Sequence, residues 1–298
     1  MASMATSSAP KTLLITGISG FLGWHLYQAT RTSWTVYGTY QTRPVSFADA
    51  NVRSLDLTNF AALKQAFADI RPDAVIHTAA LSQPNACQTQ PDLSRRINVL
   101  ASLDLAGLCA DAGIPFVFTS TDLVFDGHHA PYREADPVCP VSLYGEQKAE
   151  AEAGILSRYP NAAVCRMPLM FGHAPTAPSF LQPFLQKLRD GETLRLFTDE
   201  FRTPISGRDA AKGLLLALEK VRGLVHLGGP ERLSRYDFGL LMARAFDLSA
   251  DAISPCKQAD VPMPAPRPPD VSMDSSYAFS LGYAPGGVLG ELEALREE

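Results

Sequence analysis

Three glycines after the first strand-like segment constrain the fold of this chain more than any other feature. The apolar run Thr12–Thr16 leads into TGISGFLG, in which Gly17, Gly20 and Gly23 are three residues apart. A helix-compatible segment then follows at residues 20–30. Between a strand and a helix, such glycines let the backbone approach a pyrophosphate, and the helix N-terminus offers free N–H groups. The pattern predicts a dinucleotide-binding unit; the alternative is a glycine turn without a ligand.

Short apolar runs alternate with helix-length segments through the first half of the chain, as in proteins with a parallel sheet. The predicted strands are residues 12–16, 35–40, 74–77, 114–120 and 162–167, and the predicted helices are 20–30, 60–69, 93–112 and one after 144. Four prolines between residues 168 and 183 interrupt this rhythm, and the later segments, including a strand at 224–229, are spaced less regularly.

The expected fold is therefore α/β, with a doubly wound parallel sheet of the Rossmann type and a smaller C-terminal lobe that binds the substrate. We assign residues 11–166 and the helix at 207–221 to the dinucleotide-binding lobe, and residues 167–206 and 222–298 to the substrate-binding lobe. Residues 1–10 are expected to be a disordered leader.

The composition excludes several other kinds of protein. Apolar residues make up 46% of the 298 residues and charged residues 19%, as in ordinary globular proteins. The net charge is -5 without a basic run, so we expect no nucleic-acid partner. No apolar stretch approaches the roughly 18 residues of a membrane span, and we expect a cytoplasmic protein. The five cysteines lack the spacing of a zinc site, and we expect no metal.

The residues after the second predicted strand indicate which nicotinamide cofactor is bound. NAD enzymes have a carboxylate there that holds the ribose hydroxyls. This chain has Tyr40, Gln41, Thr42 and Arg43 instead. No carboxylate repels a 2′-phosphate at this place, and Arg43 is suited to pair with one. The sequence therefore favours NADPH over NADH, unless Arg43 is an ordinary solvated surface residue.

A second motif supplies candidate catalytic residues. Tyr144 and Lys148 are four residues apart in YGEQK, which places both side chains on one face of a helix. Reduction of a ketone needs a proton donor, and a nearby Lys148 cation is expected to lower the pKa of the Tyr144 phenol. Thr121 ends the strongest predicted strand, where ligands bind in open α/β sheets. The alternatives are a surface Tyr–Lys pair and a threonine that caps a turn.

Together, TGISGFLG, TSTDLVFDG and YGEQK resemble the extended short-chain dehydrogenase/reductase superfamily, in the same order along the chain. STDLVFDG, PYREAD and RPPDVSMDSSYAFSLGY are similar to the dTDP-4-dehydrorhamnose reductase group and to its relative, the regulatory β subunit of methionine adenosyltransferase. This resemblance covers nearly the whole chain and is weaker after Phe171.

The resemblance implies further site residues. The cofactor contacts that it implies fall on Gly17, Gly20, Phe21, Leu22, Asp56, Leu57, Ala79, Ala80, Ser82, Tyr144 and Lys148. The last of these is expected to bind the nicotinamide ribose. Asp56 could instead cap the helix after Thr58, and Ala79 and Ala80 could simply allow close packing.

The substrate is less well defined than the cofactor. Asp122 and Thr121 are expected to contact it, and Arg202 is expected to bind a diphosphate, unless Arg202 is a surface ion-pair partner. The reductase group has tyrosine where this chain has Leu123, and tryptophan where it has Leu169. The loss of that aromatic surface removes a stacking wall for a sugar nucleotide.

The sequence as a whole favours an NADP-dependent reductase of the extended short-chain type. Its expected substrate is a small-molecule carbonyl, such as the keto group of dTDP-4-dehydrorhamnose or of another sugar nucleotide. The expected roles are general acid for Tyr144, tuning of its pKa for Lys148 and polarisation of the carbonyl for Thr121. The rival hypothesis is a non-catalytic NADP-binding regulatory subunit, and a homodimer is compatible with either.

Overall fold

The computed structural model describes residues 10–297. The expected disordered leader at residues 1–10 thus lies, except for Pro10, outside the described residues. None of the helices in residues 10–297 is both long enough and apolar enough to cross a membrane.

The first half of the chain alternates strands with helices, close to the predicted boundaries. Its elements are β1 (Thr12–Thr16), α1 (Phe21–Thr30), β2 (Thr35–Tyr40), β3 (Ala50–Ser54), α2 (Phe60–Ile70), β4 (Ala74–His77), α3 (Pro84–Thr89), α4 (Pro91–Arg95), α5 (Ala101–Ala112), β5 (Phe116–Thr121), α6 (Leu143–Arg158) and β6 (Ala163–Met167).

The second half contains shorter strands. Its elements are β7 (Met170–Phe171), α7 (Leu181–Arg189), β8 (Leu194–Phe197), β9 (Phe201–Arg202), β10 (Ile205–Ser206), α8 (Gly207–Lys220), β11 (Gly223–His226), β12 (Leu233–Ser234), α9 (Arg235–Ala245), β13 (Ile253–Cys256), α10 (Ser276–Ser280) and α11 (Val288–Arg296).

The central sheet is parallel and has seven strands in the order β11-β6-β5-β4-β1-β2-β3. One of its faces packs on α1 and α8, and the other packs on α2, α5 and α6. Every residue of β4 and β5 is buried, as expected for central strands covered on both faces. This is the predicted doubly wound Rossmann-type sheet. Its order reverses between β1 and β4, where such folds form a ligand-binding crevice.

A separate hydrophobic core lies in the second half of the chain. It is formed by side chains of α7, β8, α9, β13 and α11, with Phe238, Met242 and Leu292 fully buried. The N-terminus of α9 is fixed by a capping box, in which Ser234 and Asp237 bond each other's backbone N–H groups. Strand β9 pairs with β12 and thereby brings Arg202 toward the sheet's carboxyl edge.

Two sequence-based assignments need correction. We assigned residues 222–298 to the substrate lobe, but β11 pairs with β6 and forms the edge of the central sheet. An apolar strand pattern does not specify which sheet the strand joins. The expected continuous helix at residues 93–112 is interrupted by a π-helical turn at Arg96–Leu100, where Asn98 bonds the backbone of Leu81. Its extra residue per turn is not visible in a periodic pattern.

Candidate active site

The predicted glycine turn connects β1 to α1 as expected. Gly17 has φ +72°, and a Cβ atom there would lie 2.8 Å from the backbone of Ala79 after β4. This close approach and the left-handed conformation both require glycine. Gly20 is the N-cap of α1, which has no side-chain cap and no acidic residue in its first turn. The first N–H groups of the helix therefore remain available to an anion.

Most other residues predicted to bind the cofactor lie along the same edge of the sheet. Phe21 and Leu22 begin α1, and Ala80 and Ser82 follow β4. Arg43 is exposed just beyond β2.

Asp56 is exposed and follows β3, next to the buried Leu57. Asp56 Oδ1 accepts hydrogen bonds from the backbone and hydroxyl of Thr58, whereas Asn59 caps α2. The alternative, in which Asp56 caps that helix, is thus wrong.

Two of the three predicted catalytic residues lie at the carboxyl end of β5, whereas Lys148 is buried and is not among the residues that line the cleft at this edge. Thr121 ends this strand, and Tyr144 belongs to the first turn of α6. Gly145 allows α6 to approach, because a Cβ atom on it would lie only 2.2 Å from the Leu123 carbonyl oxygen. Thr121, Asp122 and Tyr144 line a cleft of about 330 Å³. The structure therefore brings together a hydroxyl, a carboxylate and a phenol from two separate motifs.

Burial controls the ionisation of Tyr144 and Lys148. The pKa of Tyr144 is raised chiefly by burial, and Cys87 and Asp122 raise it further, whereas a hydrogen bond with Thr121 opposes the rise. This direction is opposite to the lowering expected from Lys148. The pKa of Lys148 falls to about 7 because its ammonium is buried, although Glu152 and Cys87 oppose the fall. Its Nζ lies 3.9 Å from the centroid of the Phe118 ring.

A buried polar network lies behind Lys148. Glu152, one helical turn further along α6, accepts bonds from Arg166 Nε and Nη2 at 3.1 and 2.8 Å. Ser120 also donates to Glu152 Oε1. The guanidinium thus compensates the buried carboxylate, as a buried ion pair requires. This network was not predicted from the sequence, although Glu152 has the i+4 spacing from Lys148 that places it on the same helix face.

Arg202 is buried, and it pairs with protein carboxylates rather than lying on the surface. Its Nη2 donates to Glu200 Oε1 at 3.0 Å, and its Nη1 lies 3.6 Å from Asp122 Oδ2. Among the described residues, neither Arg202 Nη1 nor Asp122 Oδ2 has a hydrogen-bond partner. The pKa of Asp122 is raised by burial, an effect that Arg202 only partly offsets. The surface ion-pair alternative for Arg202 is therefore wrong.

The cleft has one apolar wall and one cationic wall. Leu123 and Leu169 line it, so the positions that depart from the reductase group do face the site. Arg235 and Arg267 also line the cleft, and neither was predicted from the sequence to have a role there. Only the RPPD motif, which contains Arg267, carried a signal, because it belonged to the resemblance. Residues 10–297 contain no group of three His, Cys, Asp or Glu side chains placed to bind a metal.

Comparisons with known proteins agree with this architecture. Methionine adenosyltransferase 2 subunit beta of Xenopus laevis is 32% identical over 279 residues, which cover 90% of this chain and 82% of that protein. The protein named "Probable low-salt glycan biosynthesis reductase Agl14" of Haloferax volcanii is 30% identical over 288 residues, with 94% and 96% covered.

The crystal structure of a dTDP-4-dehydrorhamnose reductase from Clostridium acetobutylicum superposes with a TM-score of 0.83 at 27% identity, and it covers 96% of this chain and 98% of that one. Residues 11–284 match the family described as the RmlD substrate binding domain. These findings confirm the resemblance predicted from the sequence motifs. The chain belongs to the RmlD substrate-binding domain family.

Proposed function

We propose that this protein is an NADPH-dependent reductase of the extended short-chain type that reduces a keto group of a sugar nucleotide, such as dTDP-4-dehydrorhamnose, or of a related carbonyl. The observation that carries the proposal is the convergence of Thr121, Asp122 and Tyr144 on one cleft at the carboxyl edge of the sheet. That edge also holds the Gly17 turn, which suits a dinucleotide.

The residues present fit a nicotinamide dinucleotide. The uncapped N-terminus of α1 offers N–H groups to the pyrophosphate, and Gly17 leaves no side chain in the way. Arg43 pairs with the 2′-phosphate, and Asp56 lies near the adenosine, with Ala79, Ala80 and Ser82 along the crevice. When bound, the reduced nicotinamide supplies a hydride to the substrate carbonyl carbon.

Tyr144 supplies the proton for the oxygen of the reduced carbonyl. Because burial raises its pKa, the phenol keeps its proton at neutral pH until negative charge develops on the substrate oxygen. The Thr121 hydroxyl donates a second hydrogen bond to the same oxygen. Lys148 provides a cation one helical turn from Tyr144. This cation stabilises the negative charge that remains on the Tyr144 oxygen when its proton has moved to the substrate.

The substrate side of the cleft selects for hydroxyl and anionic groups. Asp122 lines the cleft, and its carboxylate accepts a hydrogen bond from a substrate hydroxyl next to the reacting carbonyl, while Arg202 Nη1, 3.6 Å from Asp122 Oδ2, compensates the charge of that carboxylate. Arg267, together with the part of the Arg235 guanidinium that does not bond Glu200, can hold an anionic group, such as a diphosphate. In this proposal, they take the role first expected of Arg202. The remaining residues of 167–206 and of 222–298, apart from β11, form the lobe that carries these side chains.

The proposal is tested by oxidation of NADPH in the presence of keto sugar nucleotides and simple ketones, followed by the absorbance of the reduced cofactor. We expect turnover with anionic substrates that carry a hydroxyl beside the ketone, and slower turnover with simple ketones. Tight NADPH binding without turnover of any carbonyl would contradict a catalytic role.

A second candidate is an NADP-binding regulatory subunit, and two observations favour it. A relative at 32% identity is named as a subunit of methionine adenosyltransferase. The cleft also has leucines at positions 123 and 169 instead of aromatic residues. A stable complex with a second protein in a pull-down, together with no carbonyl reduction, would support the regulator. Reduction of a keto sugar nucleotide by the isolated chain would support the enzyme.

A further inference from the structure

Gln147 lies between Tyr144 and Lys148 in the sequence, but it faces away from the cleft. It is buried on α6, with 3% of its surface exposed. It is absent from the residues that line the cleft. Its carboxamide therefore acts on the site only through other residues, which makes it a candidate positioning residue rather than a catalytic one.

All the polar atoms of this carboxamide are bonded to neighbouring elements. Gln147 Nε2 donates to Ser94 Oγ at 2.8 Å and, more weakly, to the Pro91 carbonyl oxygen at 3.4 Å. Gln147 Oε1 accepts from Asn98 Nδ2 at 3.0 Å. The glutamine thereby connects the catalytic helix to α4 and to the π-helical turn that contains Asn98.

Asn98 passes this connection to the segment after β4. Its Oδ1 accepts from the Leu81 N–H at 2.9 Å, and its Nδ2 donates to the Leu81 carbonyl oxygen at 3.1 Å. The Asn98 side chain thus bonds both the N–H and the carbonyl of Leu81, as a neighbouring strand would in a sheet. The residues on either side have proposed roles, since Ala79 packs on Gly17 and both Ser82 and Pro84 line the cleft.

We infer that Gln147 is a positioning residue that, through Asn98, holds the segment from Ala79 to Pro84 at a fixed distance from Tyr144. Buried amide groups bonded at both ends permit only a narrow range of geometries, so the network fixes the separation of the two sides of the cleft. A misplacement of about 1 Å between cofactor and catalytic groups is costly for an enzyme. The expected effect on turnover rests on the proposed function, whereas the connection from Gln147 through Asn98 to Leu81 does not.

The test is a double-mutant cycle on NADPH binding, measured by cofactor fluorescence, with Gln147→Met, Asn98→Ala and the double variant. Met keeps the length of the side chain and removes its hydrogen bonds. We expect Gln147→Met to raise the Kd for NADPH by about tenfold and to speed hydrogen exchange of the Leu81 N–H. If Gln147 acts through Asn98, adding Gln147→Met to Asn98→Ala changes the Kd little further.

Gln65→Met is the matched control, because Gln65 is an exposed glutamine of α2 bonded to Asp69. We expect it to leave Kd and Leu81 exchange unchanged. A Gln147→Met protein with a lower Tm but wild-type Kd and Leu81 exchange would overturn the inference, and so would fully additive effects in the cycle.

If Gln147→Met does not fold, Ser94→Ala tests the same connection more mildly, because it removes only the hydroxyl that accepts from Gln147 Nε2 and donates to the Pro91 carbonyl oxygen. We expect Kd to rise roughly threefold and Leu81 exchange to speed up, and no change in either would reject the inference. In turnover, we expect the KM for NADPH to rise more than kcat falls. If the wild type binds NADPH but reduces no carbonyl, the proposed function fails, while the binding cycle and Leu81 exchange still decide the role of Gln147.

Discussion

Arg202 donates from Nη2 to Glu200 Oε1 across 3.0 Å, and both side chains are buried beside the cleft. Arg235 Nε lies 3.3 Å from the same carboxylate oxygen. A buried charge is tolerated when it is paired and bonded in this way. Because Arg202 is already engaged by Glu200 and lies near Asp122, it is poorly placed to hold a diphosphate as well. The ion pairs that Glu200 forms with Arg202 and Arg235 therefore contribute to the stability of the substrate-binding lobe as well as to the charge of the cleft.

The pairing of Glu200 predicts a dependence of stability on acid pH. Burial raises the pKa of Glu200, but Arg235 and Arg202 outweigh it and hold the pKa at about 2. Between pH 2 and the ordinary value of 4.5, the unfolded chain binds the proton more readily than the folded one. The stabilisation is thus complete above 4.5 and is lost as the pH falls toward 2. We expect Glu200→Gln to lower the free energy of unfolding at neutral pH by up to about 3 kcal/mol.

Urea unfolding at a series of pH values measures this effect. The acid-dependent loss of stability should be smaller in Glu200→Gln than in the wild type. Glu219→Gln, which removes an exposed carboxylate from α8, is the control and should keep the wild-type dependence. Equal acid dependence in all three proteins would show that the Glu200 pairing contributes nothing to stability.

The burial of Lys148 leads us to expect a second pH dependence of the free energy of unfolding, at higher pH. Burial lowers its pKa from 10.5 to about 7. Between these values the unfolded chain binds the extra proton, so the stability of the wild type should rise with pH by at most about 1.4 kcal/mol per unit. Lys148→Met should lose this rise, whereas Lys64→Met, at an exposed position of α2, should keep it. Denaturant unfolding between pH 7 and 10 measures this rise, and a flat wild-type profile would contradict the lowered pKa of Lys148.

Arg43 is the residue expected to distinguish NADPH from NADH. Arg43→Ala should weaken NADPH binding by about 1.5 to 3 kcal/mol, the range for hydrogen bonds to charged groups, and leave NADH nearly unchanged. Arg71→Ala, which removes an exposed arginine at the end of α2, serves as the control. Fluorescence titration with both reduced cofactors gives the comparison. Equal losses for NADPH and NADH would mean that Arg43 does not contact the 2′-phosphate.

Five of the seven strands of the central sheet were predictable because local patterns specify them, whereas β3 was not among the predicted strands. The strand at Ala74–His77 was predicted with its observed bounds, and the glycine turn and YGEQK lie on the expected elements. These features depend on residues that are close in sequence. The assignment of β11 failed because its partner, β6, lies about 60 residues earlier, and strand pairing at that distance leaves no local signal.

The electrostatics of the site were not predictable for the same reason. Arg235 and Arg267 meet Arg202 and Asp122 only after the second lobe folds against the sheet. Burial, which sequence does not display directly, reverses the expected direction of the Tyr144 pKa shift. The residues of the candidate site were therefore recognisable in the sequence, whereas their bonding partners and their pKa values depend on the tertiary structure.

Tyr144→Phe tests the proposed chemistry most directly. The substitution keeps the ring and its packing against Leu123 and Cys87, and it removes the proton proposed to reach the substrate oxygen. General acid catalysis contributes on the order of 10² to 10⁴-fold, so kcat should fall by that factor while the Kd for NADPH stays nearly constant. Tyr277→Phe, at an exposed tyrosine of α10, is the matched control and should keep full activity. With a substrate established for the wild type, undiminished kcat in Tyr144→Phe would show that the proton comes from another group.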